Sequence, residues 1–181
     1  MRILGIDPGF ERLGVAILEK PAFAKGYGRA KKEKVVFSEC FKTSAKLEFA
    51  ERLNLIGAEI RKIIKKYKPE VLAIETLFLN TNQKTVMRVA EARGVVVYEA
   101  ARAGLKVFEA SPPQIKMATT GYGRANKEQI IKMVKILVDV EKNRTRQRNG
   151  QASDDELDAI AIALTAFAHL STVSIANRSL F

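Results

Sequence analysis

RILGIDPGFERLGVAIL, residues 2–18, holds two short apolar runs on either side of a turn. Arg2 to Asp7 reads as a buried strand stopped by Pro8-Gly9, since Pro cannot donate to a ladder and Gly admits a tight turn. Leu13 to Leu18 follows so closely that a hairpin is the natural link. Lys34 to Lys42 reads as a third strand at a sheet edge. Strict alternation would put Val35, Phe37, Glu39 and Phe41 on one side and Val36, Ser38 and Cys40 on the other. The period then changes. Phe49, Leu53, Ile56, Ile60, Ile63, Ile64 and Tyr67 recur at spacings of three and four, which predicts a long helix ended by Pro69. Val71 to Glu75 (VLAIE) is an apolar strand capped by an acid. Thr81 to Gly104 reads as mostly helical, although Gly94 and Val95-Val96-Val97 weaken the pattern, and Val107 to Glu109 is a short strand. Ser111 caps a short helix with Pro112 at its first position. Thr119 to Arg124 reads as a loop, Asn126 caps a helix through Leu137, and a last helix runs from Ser153 to about Leu170. Three adjacent strands followed by strand and helix alternation predict an α/β fold, a mixed sheet with helices on its faces.

The 181 residues, 47% apolar, fit one domain with a single core. Residues 1–170 are read as that domain and residues 171–181 as a C-terminal tail. The single cysteine, Cys40, excludes a disulfide scaffold and any multi-Cys metal site, and Cys40 itself reads as a small core residue. The single histidine, His169, excludes a site of several imidazoles and reads as a packing or helix-end residue. No apolar run reaches the roughly 18 residues that span a bilayer. MRILGID meets an acid too soon for a signal peptide, so a soluble protein of the cytoplasm, with no membrane partner, is expected. The net charge of +11 calls for an anionic partner, nucleic acid before a membrane surface. The charge is clustered between Lys20 and Lys34, at Arg61, Lys62, Lys65, Lys66 and Lys68, and at Lys142, Arg144, Arg146 and Arg148. The second cluster reads as the solvated face of a helix, and the third as a loop suited to phosphate contact.

Three groups of acids resist a purely structural reading. Asp7 and Glu75 each end an apolar strand, where a carboxylate is costly to desolvate unless something positive pairs with it. Ligands of α/β sheets gather beyond the carboxyl ends of the strands, and parallel neighbours would bring these two acids side by side. The third group is Ser153-Asp154-Asp155-Glu156-Leu157-Asp158. A capping box of Ser153 with Glu156 and a favourable helix dipole explain the first-turn acids. They do not explain Asp158, which shares a helix face with Asp155 and is within reach of Asp154's face. Four carboxylates without a His or Cys cluster suit hard cations such as Mg²⁺ or Mn²⁺. Two such ions serve phosphodiester hydrolysis, and the basic surface would deliver the backbone.

The stretches ILGIDPG (3–9), AIETLF (73–78), ARGV (92–95), QIKMATTGYGRANKEQ (114–129) and DELDAIAIALT (155–165) make the chain resemble the RuvC family of Holliday junction resolvases, RNase H-like nucleases. The resemblance implies an RNase H-like sheet of five strands, the first three antiparallel, and paired symmetric nicking of four-way DNA junctions in recombination and repair. It also implies a homodimer, with the helix around Thr81 to Gly104 as the pairing element, and divalent ions, Mg²⁺ with Mn²⁺ as an alternative and two per subunit. A RuvA/RuvB branch-migration complex is left open as a further partner. Carried over by motif, the catalytic and metal-holding acids are Asp7, Glu75, Asp155 and Asp158. Phe78, Lys116, Arg124 and Lys127 form the DNA-binding set, Phe78 as an aromatic against bases near the crossover. The added acid at 154 leaves the third ligand between Asp155, preferred by spacing, and Asp154. The stretch from Lys20 to Lys34 has no counterpart in the resemblance and reads as a longer, basic hairpin. Two other readings stay open. A binding-only branched-DNA protein is opposed by the intact acids. An actin-like phosphotransferase, suggested by GIDPG alone, has little room for its second lobe.

Overall fold

The computed structural model describes residues 1–20, 32–77, 83–138 and 152–176. Along the chain come β1 (Arg2–Asp7), β2 (Arg12–Glu19), β3 (Lys34–Lys42), α1 (Phe49–Tyr67), β4 (Val71–Glu75), α2 (Gln83–Arg102), β5 (Lys106–Ala110), α3 (Pro112–Thr120), α4 (Lys127–Leu137) and α5 (Asp154–Ala176). The strands form one sheet in the order β3-β2-β1-β4-β5. The pairs among β1, β2 and β3 are antiparallel, while β4 runs parallel to β1 and β5 parallel to β4. This is the expected mixed sheet with its first three strands antiparallel.

Alternation along β1 splits the core into two layers. Leu4 and Ile6 face Ile56, Ile60 and Ile63 of α1 and Ala92, Val96 and Ala100 of α2. Ile3 faces the other way, toward α5 and the buried Ile115 of α3 and Val134 of α4. The sheet is therefore buried on both faces, as its nearly continuous apolar strands require. Each large aliphatic group so buried contributes on the order of 2 kcal/mol of transfer free energy.

Strict alternation fails in β3. Leu18 pairs with Val35 but Ile17 pairs with Phe37, so Val36 is an extra residue at a bulge. Val35 therefore lies with the α5 layer and Phe37 with the α1 and α2 layer, although they are two residues apart. Beyond the bulge, Ser38 and Cys40 face α5, where they bond to Glu156 and Asp155. A one-residue insertion reverses the facing of all that precedes it.

The α5 helix is rich in alanine because it sits against strand backbone. A Cβ on Gly5 of β1 would lie on the carbonyl oxygen of Ala159 and 2.8 Å from the Ala163 methyl. A Cβ on Gly14 of β2 would strike the Asp155 carbonyl and come 3.0 Å from the Asp7 Cβ. These two glycines set the distance between the helix and the sheet.

Three details differ from the sequence reading, and a fourth lies outside it. The α5 helix runs on through Ala176, past Leu170. Thr119 and Thr120 belong to α3, so the loop begins at Gly121. Gly94 is accommodated in α2 because its position opens to space, and a side chain there would meet no atom within 4 Å of its Cβ. Arg52 of α1 is buried: its guanidinium lies 3.9 Å from the Phe10 ring centre, and its Nε donates to Thr43 Oγ1 at 2.9 Å. Most of the Lys20 to Lys34 stretch, Phe78, and the cluster from Lys142 to Arg148 lie outside the described residues.

Candidate active site

In the β1–β4 register Ile6 stands opposite Ile74, so Asp7 and Glu75 leave the sheet as neighbours at the carboxyl ends of two parallel strands. Arg93 of α2 steadies this edge. Its Nε donates to the Glu75 carbonyl at 3.2 Å and its Nη2 pairs with Glu109 at 2.8 Å. The α5 helix starts at the same edge. The Ser153 amide donates to Glu156 Oε1 at 3.1 Å, and the Glu156 amide donates to Ser153 Oγ at 3.3 Å. Glu156 is buried and accepts a 2.7 Å bond from Ser38 Oγ of β3. It is thus a structural acid that ties the helix start to the sheet, while Asp155 and Asp158 are left for the site.

The acids act on one another electrostatically. Burial pushes the Asp7 carboxyl up to about 7, helped by the charges of Asp158, Glu75 and Asp155. Burial, then Asp158, raises Glu75 as well. Asp158 is raised by burial, although Lys127 opposes the rise. Asp154 is not among the charges acting on Asp7, and its side chain is 64% exposed against 21% for Asp155. Asp154 does act on Asp158, as Asp155 does.

Two cations flank the acids. Lys127 Nζ, at the start of α4, stands 3.2 Å from Asp154 and 3.4 Å from Asp158. Arg12, at the start of β2, donates through both Nε (3.0 Å) and Nη2 to Oδ2 of Asp155. Cys40 Sγ donates to the same oxygen at 3.4 Å. Burial alone would raise Asp155, but the Arg12 and Cys40 bonds outweigh it and hold its pKa below the ordinary carboxylate value. Burial and Asp155 push the Cys40 thiol up to about 11, so it stays protonated.

A cleft of about 250 Å³ joins Glu75, Asp158, Lys116 and Lys127 over apolar walls from Ile115, Ile130 and Ile162. Of the residues expected at the site, Glu75, Asp158, Lys116 and Lys127 share this cleft, while Asp7 lies within electrostatic reach of Glu75, Asp155, Asp158 and Lys127. Arg124 is exposed in the turn before α4, three residues upstream of Lys127. His169 lies against Phe108, ring centres 5.1 Å apart, as a packing residue. Cys40 corrects the expectation of a core cysteine, because it pairs with Gly14 of β2, on the face where the start of α5 sets Asp155. Arg12 is a site residue that the sequence reading does not single out. Its one signal is the hairpin register: Asp7 pairs with Gly14, and residue 12 shares Gly14's face.

Among the described residues, no group of three or more His, Cys, Asp or Glu is gathered to hold a metal ion as it stands. The donor set nevertheless fits a hard divalent cation in kind. It is all carboxylate, partly buried and mutually repelling, and a divalent charge would relieve that repulsion.

The family model described as "Crossover junction endodeoxyribonuclease RuvC" matches residues 3–166. A protein of that name from Halothermothrix orenii is 38% identical over 164 residues, covering 91% of this chain and 90% of the relative. Another from Desulfitobacterium hafniense is 38% identical over 181 residues, covering 98% and 97%. The solved structure of Thermus thermophilus RuvC in complex with Holliday junction substrate is 30% identical, with a TM-score of 0.79, covering 95% of this chain and 97% of that one.

Proposed function

This chain belongs to the RuvC family of crossover junction endodeoxyribonucleases, and from that premise we propose how its residues resolve a Holliday junction. Asp7, Glu75, Asp155 and Asp158 are the catalytic acids and hold the metal, Mg²⁺ or in its place Mn²⁺, two ions per subunit. The observation that carries this reading is the placement of Asp7 and Glu75 side by side at the carboxyl ends of parallel β1 and β4, with the acid-bearing start of α5 held against β2 at Gly14 beside Asp7. Such an arrangement destabilises the protein unless a cation answers it, and perturbed groups of this kind mark functional sites. When bound, divalent cations at these acids supply Lewis-acid chemistry: they lower the pKa of a water and neutralise charge on the phosphate.

The protein's own groups do the rest. The carboxylates orient the attacking water in line with the scissile bond. Lys116 and Lys127 in the cleft receive the phosphodiester and offset charge that develops on its oxygens. Arg124 and Phe78 extend the DNA-binding set, the former from its turn before α4. The apolar walls of the cleft keep bulk water from the reacting phosphate.

A homodimer completes the proposal, because two identical sites on a two-fold axis match a junction with its own pseudo-two-fold and give paired, symmetric nicks. Support comes from α2, where Met87, Glu91, Gly94 and Tyr98 form one stripe, with Met87 65% and Tyr98 62% exposed. A cytoplasmic setting and a RuvA/RuvB partner belong to the same reading. Among the described residues no helix is long and apolar enough to cross a membrane.

The test is a four-way junction labelled on each strand in turn, incubated with Mg²⁺ or with EDTA. Symmetric nicks in two opposed strands with Mg²⁺, and none with EDTA, are expected. Asp7→Asn should bind the junction as the parent does and cleave it at least about 10³-fold more slowly. Undiminished nicking by Asp7→Asn would falsify the role given to the acids.

A further inference from the structure

Oδ2 of Asp155 already accepts three donors, from Arg12 Nε and Nη2 and from Cys40 Sγ. One of the two oxygens of a carboxylate assigned to the metal is thus occupied by a guanidinium. Arg12 is half exposed, so water or another anion can reach it and draw it away. It also lines a groove of about 670 Å³ beside the β1–β2 turn, shared with Arg88 of α2 and rimmed by Glu11 and Glu91. A phosphodiester in that groove meets two guanidinium groups, and a phosphate is at least as good a bidentate acceptor as a carboxylate. Lys127, on the other flank, differs. It splits its charge between two acids and offers a point charge without a fork.

We infer that Arg12 is a displaceable counter-ion for Asp155: it competes with the divalent cation for one carboxylate oxygen, and DNA phosphate that draws it into the groove opens the acid centre to the ion. Arg12 is a positioning residue, since it acts through Asp155. The inference rests on the carboxylate reading above. By linkage, the exchange is reciprocal. A cation on Asp155 sends Arg12 to the DNA, and DNA that holds Arg12 favours the cation.

Two measurements test it. In the first, Mn²⁺ is titrated into the full-length protein without DNA and the free ion is read by electron paramagnetic resonance. Arg12→Gln should bind Mn²⁺ about three- to fivefold more tightly than the parent, the difference expected when a half-exposed competing ion pair is removed, and Arg12→Lys should lie between them. On the Asp155→Asn background the Arg12 substitution should change nothing. In the second, junction affinity is measured by fluorescence anisotropy in Ca²⁺ and in EDTA. The parent should gain about threefold more from Ca²⁺ than Arg12→Gln does. Unchanged or weaker Mn²⁺ binding in Arg12→Gln, while Asp7→Asn abolishes it, overturns this inference alone. If Asp7→Asn and Asp158→Asn both leave Mn²⁺ binding intact, the acid centre itself fails and the competition with it. Equal Ca²⁺ gains in parent and variant also overturn it.

Discussion

On the α5 side of the sheet, helix backbone meets strand backbone. On the α1 and α2 side, only side chains meet. The first contact runs through Gly5, Gly14, Ala159 and Ala163, and the second through Leu4, Ile6, Ile56, Ile60 and Ile63. Backbone contact leaves almost no slack, because a new Cβ on either glycine would meet carbonyl atoms rather than flexible tips. Side-chain contact can repack at modest cost. The site sits on the tight side. Asp155 and Asp158 ride on α5, so the distance from helix to sheet is also the distance from those acids to Asp7 and Glu75. The loose side carries stability and the tight side carries geometry.

That contrast is broken first at Gly14. Gly14→Ala drives a methyl into the Asp155 carbonyl, so the start of α5 must lift. Cleavage of a four-way junction should fall about 100-fold or more, with about 2–3 kcal/mol lost in urea denaturation. Retained activity would show that the acids do not depend on this contact. Ile60→Ala on the other side should cost about 3 kcal/mol of stability while leaving the nicking rate of the folded protein within about twofold. A matching loss of activity there would erase the distinction between the two sides. The smallest effect is a pH dependence. Asp7 binds its proton more tightly folded than unfolded, so in EDTA its contribution to stability is fullest below about pH 4 and declines as pH rises through about 7. Asp7→Asn removes this decline. At pH 8 it should raise Tm by about 3–6 °C, on the order of 1–2 kcal/mol, and at pH 4 by nearly nothing. Parallel thermal curves for parent and variant at both pH values would count against a strained Asp7.

The strands and most helices are legible in the sequence because each carries its own periodicity and its own stop. Asp7 and Glu75 are legible for the same reason, as acids ending apolar runs. Ser111, Asn126 and Ser153 are legible as caps, because capping is local. What escapes needs a partner distant in the chain. Arg52 is buried only because the fold places Phe10 and Thr43 against it. Arg12 looks like ordinary surface charge until α5 sets Asp155 beside it. Alternation gives Cys40 its face but not its neighbour, and Val35 changes face because the Val36 bulge interrupts the alternation before it. A bulge leaves no mark in a run such as KVVFSECFK, because either parity gives an acceptable strand. The preference for Asp155 over Asp154 comes from spacing and the resemblance.

The Val36 irregularity has a consequence away from the chemistry. Among the described residues, β3 is the outermost strand on its side of the sheet and leaves one margin without a strand partner. A kinked, more strongly twisted margin, ended by Lys34 and Lys42, is a poor template for a stranger's backbone. The same extra residue that turns Val35 toward α5 thereby discourages fibril-like self-association of a protein built on so apolar a sheet.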